Sequence, residues 1–307
     1  MEKLKAHLAL LGANLIYGIN YTVAKDVMPE YIAPFGFIFL RVSGALILFW
    51  SLSFFTKWET IQRVDLPRVI AAGLFGVAMN QMLFFQGLNL TQPINASIIM
   101  TTNPILVLVI SAILIKERIS SRKIIGIAIG LVGAVLLIVF KANASTAEIA
   151  VGTDTALGDF LVFLNATSYG IYLVIVKPLM KKYQPATVIK YVFTFGFCFV
   201  IPFGWGEFSQ VEWSTFPMHV GLKAAFVVIG TTFFAYLFNI YALKRVSSTA
   251  VSIYIYSQPL FATLVALWFG SDRLTAIKVV ATILIFIGVY LVSVKRKSTK
   301  VEALPNE

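Results

Sequence analysis

The chain reads as an all-α integral membrane protein: ten transmembrane helices in two inverted five-helix repeats, with both termini cytoplasmic. Three observations predict this: an oily composition, a self-similarity at fixed offset, and a lopsided distribution of basic residues. The 307 residues are 59% hydrophobic and 13% charged, with a mean hydropathy of +0.86. An ordinary soluble domain is about 45–50% apolar and about 25% charged. A helix needs about 20 mostly apolar residues to cross a bilayer, and the chain supplies many such runs.

The second observation is a gapless match of 84–137 with 239–292 at an offset of 155. Under it Ser97 meets Ser252, Asn103-Pro104 meets Gln258-Pro259, Glu117-Arg118 meets Asp272-Arg273, and Gly133 meets Gly288. Apolar residues match by chance, but Pro, Gly and charged positions do so less easily. A further match at an offset of 152 pairs Tyr17-Gly18 with Tyr169-Gly170 and Lys25 with Lys177. Repeats of this kind are common in transporters, whose two halves rock around a shared central site.

The spans are placed at 6–24, 34–55, 68–90, 92–115, 123–140, 157–177, 185–204, 218–242, 247–269 and 275–294. Met28-Pro29, the charged 57–68 and 116–123 segments, the polar 141–156 linker and Gly270-Ser271-Asp272 mark the breaks. The first run follows Lys3 and Lys5 without a small-residue cleavage site, so it reads as a retained span. Residues 1–140 then form the first repeat, 157–294 the second, and 295–307 a basic cytoplasmic tail.

Loop lysines and arginines stay on the cytoplasmic side. With the N-terminus inside, the inner segments hold eighteen of the 25, clustered as at Lys116, Arg118, Arg122 and Lys123. The outer loops hold only Lys25, Lys141 and Arg273, while Arg41, Lys190, Lys223 and Lys278 fall inside or at the edges of spans. Five spans per half is an odd number, so the second half enters the membrane upside down. The net charge of +11 is explained by these loops and calls for no nucleic-acid partner. Cys198, the only cysteine, can form no internal disulfide and reads as core filler.

Certain stretches carry a family likeness: Tyr17-Gly18-Ile19-Asn20, Leu40-Arg41, Asn103-Pro104 followed by Lys116-Glu117-Arg118, and the helix bearing Gly126, Gly130 and Gly133. Through them the chain resembles the drug/metabolite transporter superfamily, and within it the EamA-type branch, over about 6 to 294. The resemblance implies an alternating-access carrier of metabolites, often an exporter of amino acids. It also implies a central cavity lined by the first, third, fourth, sixth, eighth and ninth helices. Asp272 stands where the family usually has glutamate, which hardly bears on mechanism.

Polar residues at membrane depth are costly and mark candidate sites. Asn103 and Gln258 each lie eleven residues into a span, roughly 15 Å deep at 1.5 Å per residue. Pro104 and Pro259 follow them and free the carbonyls of Met100 and Ile255, allowing kinks at matching positions. Two readings stand for this pair: substrate contact, or repair of the kink and bridging between helices. Asn14, Tyr17 and Tyr21 share one face of the first span, joined by Asn20, and Asn165, Tyr169 and Tyr172 repeat the stripe in the sixth. Asn80, Gln81, Tyr236 and Tyr254 complete a candidate substrate-binding set with aromatic walls and amide anchors, suited to a neutral or zwitterionic molecule. Arg41, some seven residues from the outer end of its span, either snorkels to headgroups or serves as a carboxylate anchor or gate. Lys190 is expected to snorkel.

Asp26, Glu117, Asp159 and Asp272 all fall at span ends, which disfavours a proton-coupled pump for cationic drugs. One buried arginine is too few for phosphorylated substrates. No catalytic triad, metal cluster, phosphate loop or cofactor motif appears, and His7 and His219 lie only near span ends, so an intramembrane enzyme is disfavoured. The sequence therefore predicts a secondary transporter in a bacterial cytoplasmic membrane, a monomer or homodimer whose partners are its substrate and the bilayer. A passive channel or a multidrug exporter is the alternative.

Overall fold

The computed structural model describes residues 2–55, 59–91, 93–117, 119–142, 155–261, 264 and 275–293. Helix dominates them. The helices are α1 (Glu2–Lys25), α2 (Pro34–Ser53), α3 (Leu66–Gly73), α4 (Met79–Leu90), α5 (Pro93–Met100), α6 (Asn103–Leu114) and α7 (Ser121–Ala142). After the linker come α8 (Thr155–Val176), α9 (Pro185–Ser209), α10 (Met218–Phe226), α11 (Ala235–Leu243), α12 (Ser248–Ser252) and α13 (Ala276–Ser293). Among the described residues, seven stretches are long and apolar enough to cross a membrane, five of them wholly or mainly α2, α8, α9, α13 and the α10–α11 column. The other two are Arg63–Leu90 and Ala96–Leu114. Most of the linker, the tail, Arg118 and Asp272-Arg273 lie outside the described residues.

Local chemistry sets several ends. Pro34 and Pro185 occupy first-turn positions, where the missing N–H has no helical partner to lose. The Ser247 side chain caps α12 by accepting from the Ala250 N–H. Beyond α6, Lys116 adopts a left-handed φ of 52°, and the Glu117 N–H returns to the Ser111 carbonyl. The seventh expected span runs on to Ser209, beyond the expected end at 204, with Pro202 accommodated inside the helix.

The regular helices are interrupted at matching places. Leu74–Ala78 is a π-helical segment joining α3 to α4, and Val227–Phe234 is another joining α10 to α11. The 155-residue offset carries 74–78 onto 229–233, inside the second segment. Between α5 and α6 the chain turns at Thr101-Thr102, whose hydroxyls bond back to the Ile98 and Ile99 carbonyls. At the corresponding position, Ile253–Ser257 winds as a 3₁₀ helix and the Ser257 hydroxyl bonds the Tyr254 carbonyl. Backbone irregularities of this kind collect at functional sites.

Packing respects an exchange of the halves. Helix α7 lies along α13 and α2 along α9, while the α1–α11 contact is mirrored by α8–α4. Glycines permit the closest of these approaches. A Cβ on Gly288 would sit 2.6 Å from the Gly126 carbonyl oxygen, and one on Gly133 would meet the Ala281 oxygen at 2.7 Å. The small residues of α7 thus pack within the chain.

Helix ends gather at two faces. One face joins Glu2 to Arg245 (2.8 Å) and Asp65 to Lys182 (2.9 Å), and Lys177 Nζ donates to the Leu243 and Val246 carbonyls. The opposite face joins Asp26 to Lys223 (2.6 Å), Thr91 to Asp159 (2.6 Å) and the Gly36 N–H to Glu207 (2.9 Å). Helix α1 therefore runs from the first face to the second, and its mate α8 runs the other way. Glu2 and Ser293 both lie at the first face, beside one surface cleft that Arg245 lines.

One expectation needs correction. Cys198 is not core filler: it is exposed on the outer side of α9. Lys190 is 2% exposed, with Nζ 4.6 Å from the centre of the Trp50 ring, a cation–π contact that favours the charge.

Candidate functional site

A cavity with an empty volume of about 680 Å³ lies between the halves. Its wall contains Asn14, Tyr17, Asn20, Arg41, Asn80, Gln81, Asn165, Tyr169, Tyr236 and Gln258. These ten of the twelve residues singled out from sequence, apart from the kink prolines, come together from six separate stretches of chain.

Most are held by a specific partner. Gln258 donates from Nε2 to Asn14 Oδ1 (2.9 Å), and Asn14 Nδ2 donates back to the Leu10 carbonyl (2.8 Å). This pair ties α1 to the segment following the 3₁₀ turn. Asn239 Nδ2 donates to the Tyr17 hydroxyl (3.1 Å), and the Thr231 hydroxyl donates to Asn20 Oδ1 (3.1 Å). Asn165 Nδ2 donates to the Asn80 carbonyl, holding α8 against α4.

The π segments contribute directly. The Tyr236 hydroxyl reaches the Gly76 carbonyl (2.9 Å) and Asn80 Oδ1 (3.1 Å), and the Ser168 hydroxyl takes the Phe75 carbonyl (2.7 Å). Side chains from the second half thus serve carbonyls of the first half's π segment. In the other π segment, the Thr232 hydroxyl donates to the Val227 carbonyl and accepts from Arg41 Nε (3.1 Å).

Among the described residues of the cavity wall, Arg41 is the only charged one, and none is Asp or Glu. It is 2% exposed, so the snorkelling reading fails. Its guanidinium lies 4.2 Å from the centre of the Phe85 ring. Buried polar atoms without a hydrogen-bond partner concentrate here. Among the described residues there are eight, and four line the cavity: Arg41 Nη1, both polar atoms of the Gln81 carboxamide, and Asn165 Oδ1. Buried polar groups in proteins are ordinarily satisfied, so these four are poised for something that enters.

Two expected residues are elsewhere. Asn103 is fully buried and donates from Nδ2 to the Ala166 carbonyl (2.7 Å), bridging α6 to α8. Tyr254 lies in the 3₁₀ turn, its hydroxyl 2.7 Å from His7 Nδ1 and its ring stacked on that imidazole. Of the kink prolines, Pro104 is buried within α6, next to the break it was expected to cause. The side chain of Tyr21 is outside the described residues, and Tyr172 is core, packed on Gly76.

Residues missed from sequence also line the cavity: Phe84, Phe85, Met100, Thr231, Asn239, Val251 and Ile255. Asn239 carried a usable signal, being an amide in an apolar run and the repeat mate of Phe84. The others are ordinary constituents of an apolar helix and carried none.

Comparison with known proteins places this architecture. A family model described as the EamA-like transporter family matches residues 4–139 and again 156–294. An uncharacterized transporter of Archaeoglobus fulgidus is 28% identical over 280 residues, 91% of this chain and 95% of its own. The Bacillus subtilis uncharacterized transporter YyaM is 24% identical over 95% of both chains. The Arabidopsis thaliana protein WALLS ARE THIN 1 is 25% identical, over 95% of this chain and 83% of its own length. A solved crystal structure superposes with a TM-score of 0.73 at 19% identity, covering 93% of this chain and 95% of that one, a likeness of fold.

Proposed function

Because the chain belongs to the EamA-like transporter family, a multi-pass membrane transporter and not an enzyme, we propose that it is a secondary carrier exporting small organic metabolites such as amino acids. It works by alternating access across the cytoplasmic membrane of a bacterial cell. Ten spans form two inverted five-helix halves, and both termini are cytoplasmic. The observation that carries this reading is the composition of the cavity wall. Mates in the two halves contribute to it together: α1 with α8, and α4 with α11. The solute sits where the halves meet, so tilting one half against the other opens the same groups first to one face and then to the other.

The backbone supports such motion. The π segments at Leu74–Ala78 and Val227–Phe234 and the interruptions before Asn103 and Gln258 place bendable points at equal positions in both halves. In this mechanism Gln258 and Asn14 bind the solute by exchanging their mutual hydrogen bond for bonds to it. Tyr17, Tyr169 and Tyr236 form the aromatic wall, and Asn20, Asn80 and Asn165 fix orientation.

Reconstitution in liposomes tests this. The protein is loaded with unlabelled amino acid and challenged with labelled amino acid outside, with and without a pH gradient. Saturable counterflow is expected. Flux that rises linearly with concentration and shows no counterflow would identify a passive channel. Thiol labelling is expected to find the Glu117 and Asp272 loops on opposite sides of the bilayer, and labelling of both from one side would exclude inverted halves.

A further inference from the structure

We propose that the solute bears a single carboxylate and that Arg41 is its anchor. This inference rests on the carrier reading and specifies which class of solute that site takes. Among the described residues of the wall there is no carboxylate, so none of them supplies this guanidinium with a counter-ion. Thr232 Oγ1 occupies Nε, and Phe85 covers one face of the guanidinium. Nη1 is buried and has no partner. With Nε engaged, the end-on edge formed by the two Nη groups remains for an incoming anion. That edge matches the two oxygens of a carboxylate, which accept parallel N–H···O bonds.

Charge count sets the class. One guanidinium balances one negative charge, and the remaining anchors are neutral amides and phenols, so a monoanionic head fits and a phosphate dianion does not. Gln81 and Asn165 line the same cavity, and Asn165 Oδ1, buried and without a hydrogen-bond partner, is an acceptor there. A hydroxyl or amino substituent near the carboxylate would find partners there. Zwitterionic amino acids and short hydroxy- or aromatic monocarboxylates share this head.

The test uses the full-length protein in detergent and in liposomes. L-leucine, lactate and benzoate are each paired with the corresponding primary amide, which keeps the shape and removes the charge. Binding is read by ligand-induced thermal stabilisation, and transport by counterflow. The wild-type protein is expected to bind at least one acid at least tenfold more tightly than its amide. Leucine against benzoate then distinguishes zwitterions from simple acids. Arg41→Gln is expected to erase the acid preference, and Arg41→Lys to keep part of it.

Equal affinity for acid and amide, binding of no acid in the panel, or an acid preference that survives in Arg41→Gln would each overturn the proposal. The acid–amide comparison on the unaltered protein decides the matter even where Arg41→Gln fails to fold. Acid binding without counterflow would sink the carrier reading and leave the anchor standing. Counterflow of amides and acids alike would do the reverse.

Discussion

Replacing Tyr236 by Phe removes one oxygen atom and nothing else. The ring keeps its place, edge-on to Phe193 with centroids 5.1 Å apart, so no cavity opens. The hydroxyl serves two acceptors, the Gly76 carbonyl at 2.9 Å and Asn80 Oδ1 at 3.1 Å, although its one proton can satisfy only one at a time. Hydrogen bonds between helices in a bilayer are worth about 0.6 kcal/mol on average and about 1.7 kcal/mol at most, because the unfolded chain in the membrane also finds partners. Tyr236 belongs near the upper end, since the carbonyl it serves lies in a buried π segment. A loss of about 1–1.7 kcal/mol is expected, a factor of about 5–15 in the folded-to-unfolded ratio at about 1.4 kcal/mol per tenfold. Chemical unfolding of the purified protein in mixed micelles, with Tyr236→Phe beside the wild type, measures it directly. A change below about 0.3 kcal/mol would refute the idea that this hydroxyl ties the second half to the first half's π segment.

Four other substitutions give distinct outcomes. Gly76→Ala would put a methyl group 2.2 Å from the buried ring of Tyr172, and overpacking of that kind costs about 1–3 kcal/mol, read as a lowered unfolding temperature. Gly288→Leu forces side-chain atoms into the Gly126 carbonyl and the Gly130 backbone; it is expected to separate α7 from α13 and destabilise more than Gly76→Ala in the same assay. Asn103→Ala and Gln258→Ala should part company. The first deletes a 2.7 Å bond to the Ala166 carbonyl outside the cavity and lowers stability by about 1 kcal/mol, with solute affinity in counterflow changed less than threefold. The second lies in the cavity wall and weakens that affinity tenfold or more.

Much of the site was legible in the sequence for a simple reason. Amides and tyrosines at mid-depth are expensive, so those at Asn14, Asn80, Asn165 and Gln258 had to face something other than lipid. The repeat doubled the signal by placing Tyr17 over Tyr169. Two of the failures, Asn103 and Tyr254, share one physical source. Face assignments assume an unbroken period of 3.6 residues, whereas the chain turns at Thr101-Thr102 and tightens to 3₁₀ over Ile253–Ser257. Each change in residues per turn rotates the downstream side chains about the helix axis, which sends Asn103 toward α8 and Tyr254 toward His7. Depth alone could not place Arg41, because Thr232 and Phe85, which keep it inside, come from distant parts of the chain.

The paired irregularities also constrain the energetics. Under the proposed alternating access, straightening the loosened turns of one half while bending those of its twin would exchange their roles at little net cost. Two such shapes can then differ by only a few kcal/mol, so both are populated. A modest free energy of solute binding, or a single substitution beside one hinge, is then enough to decide which doorway stands ajar at rest.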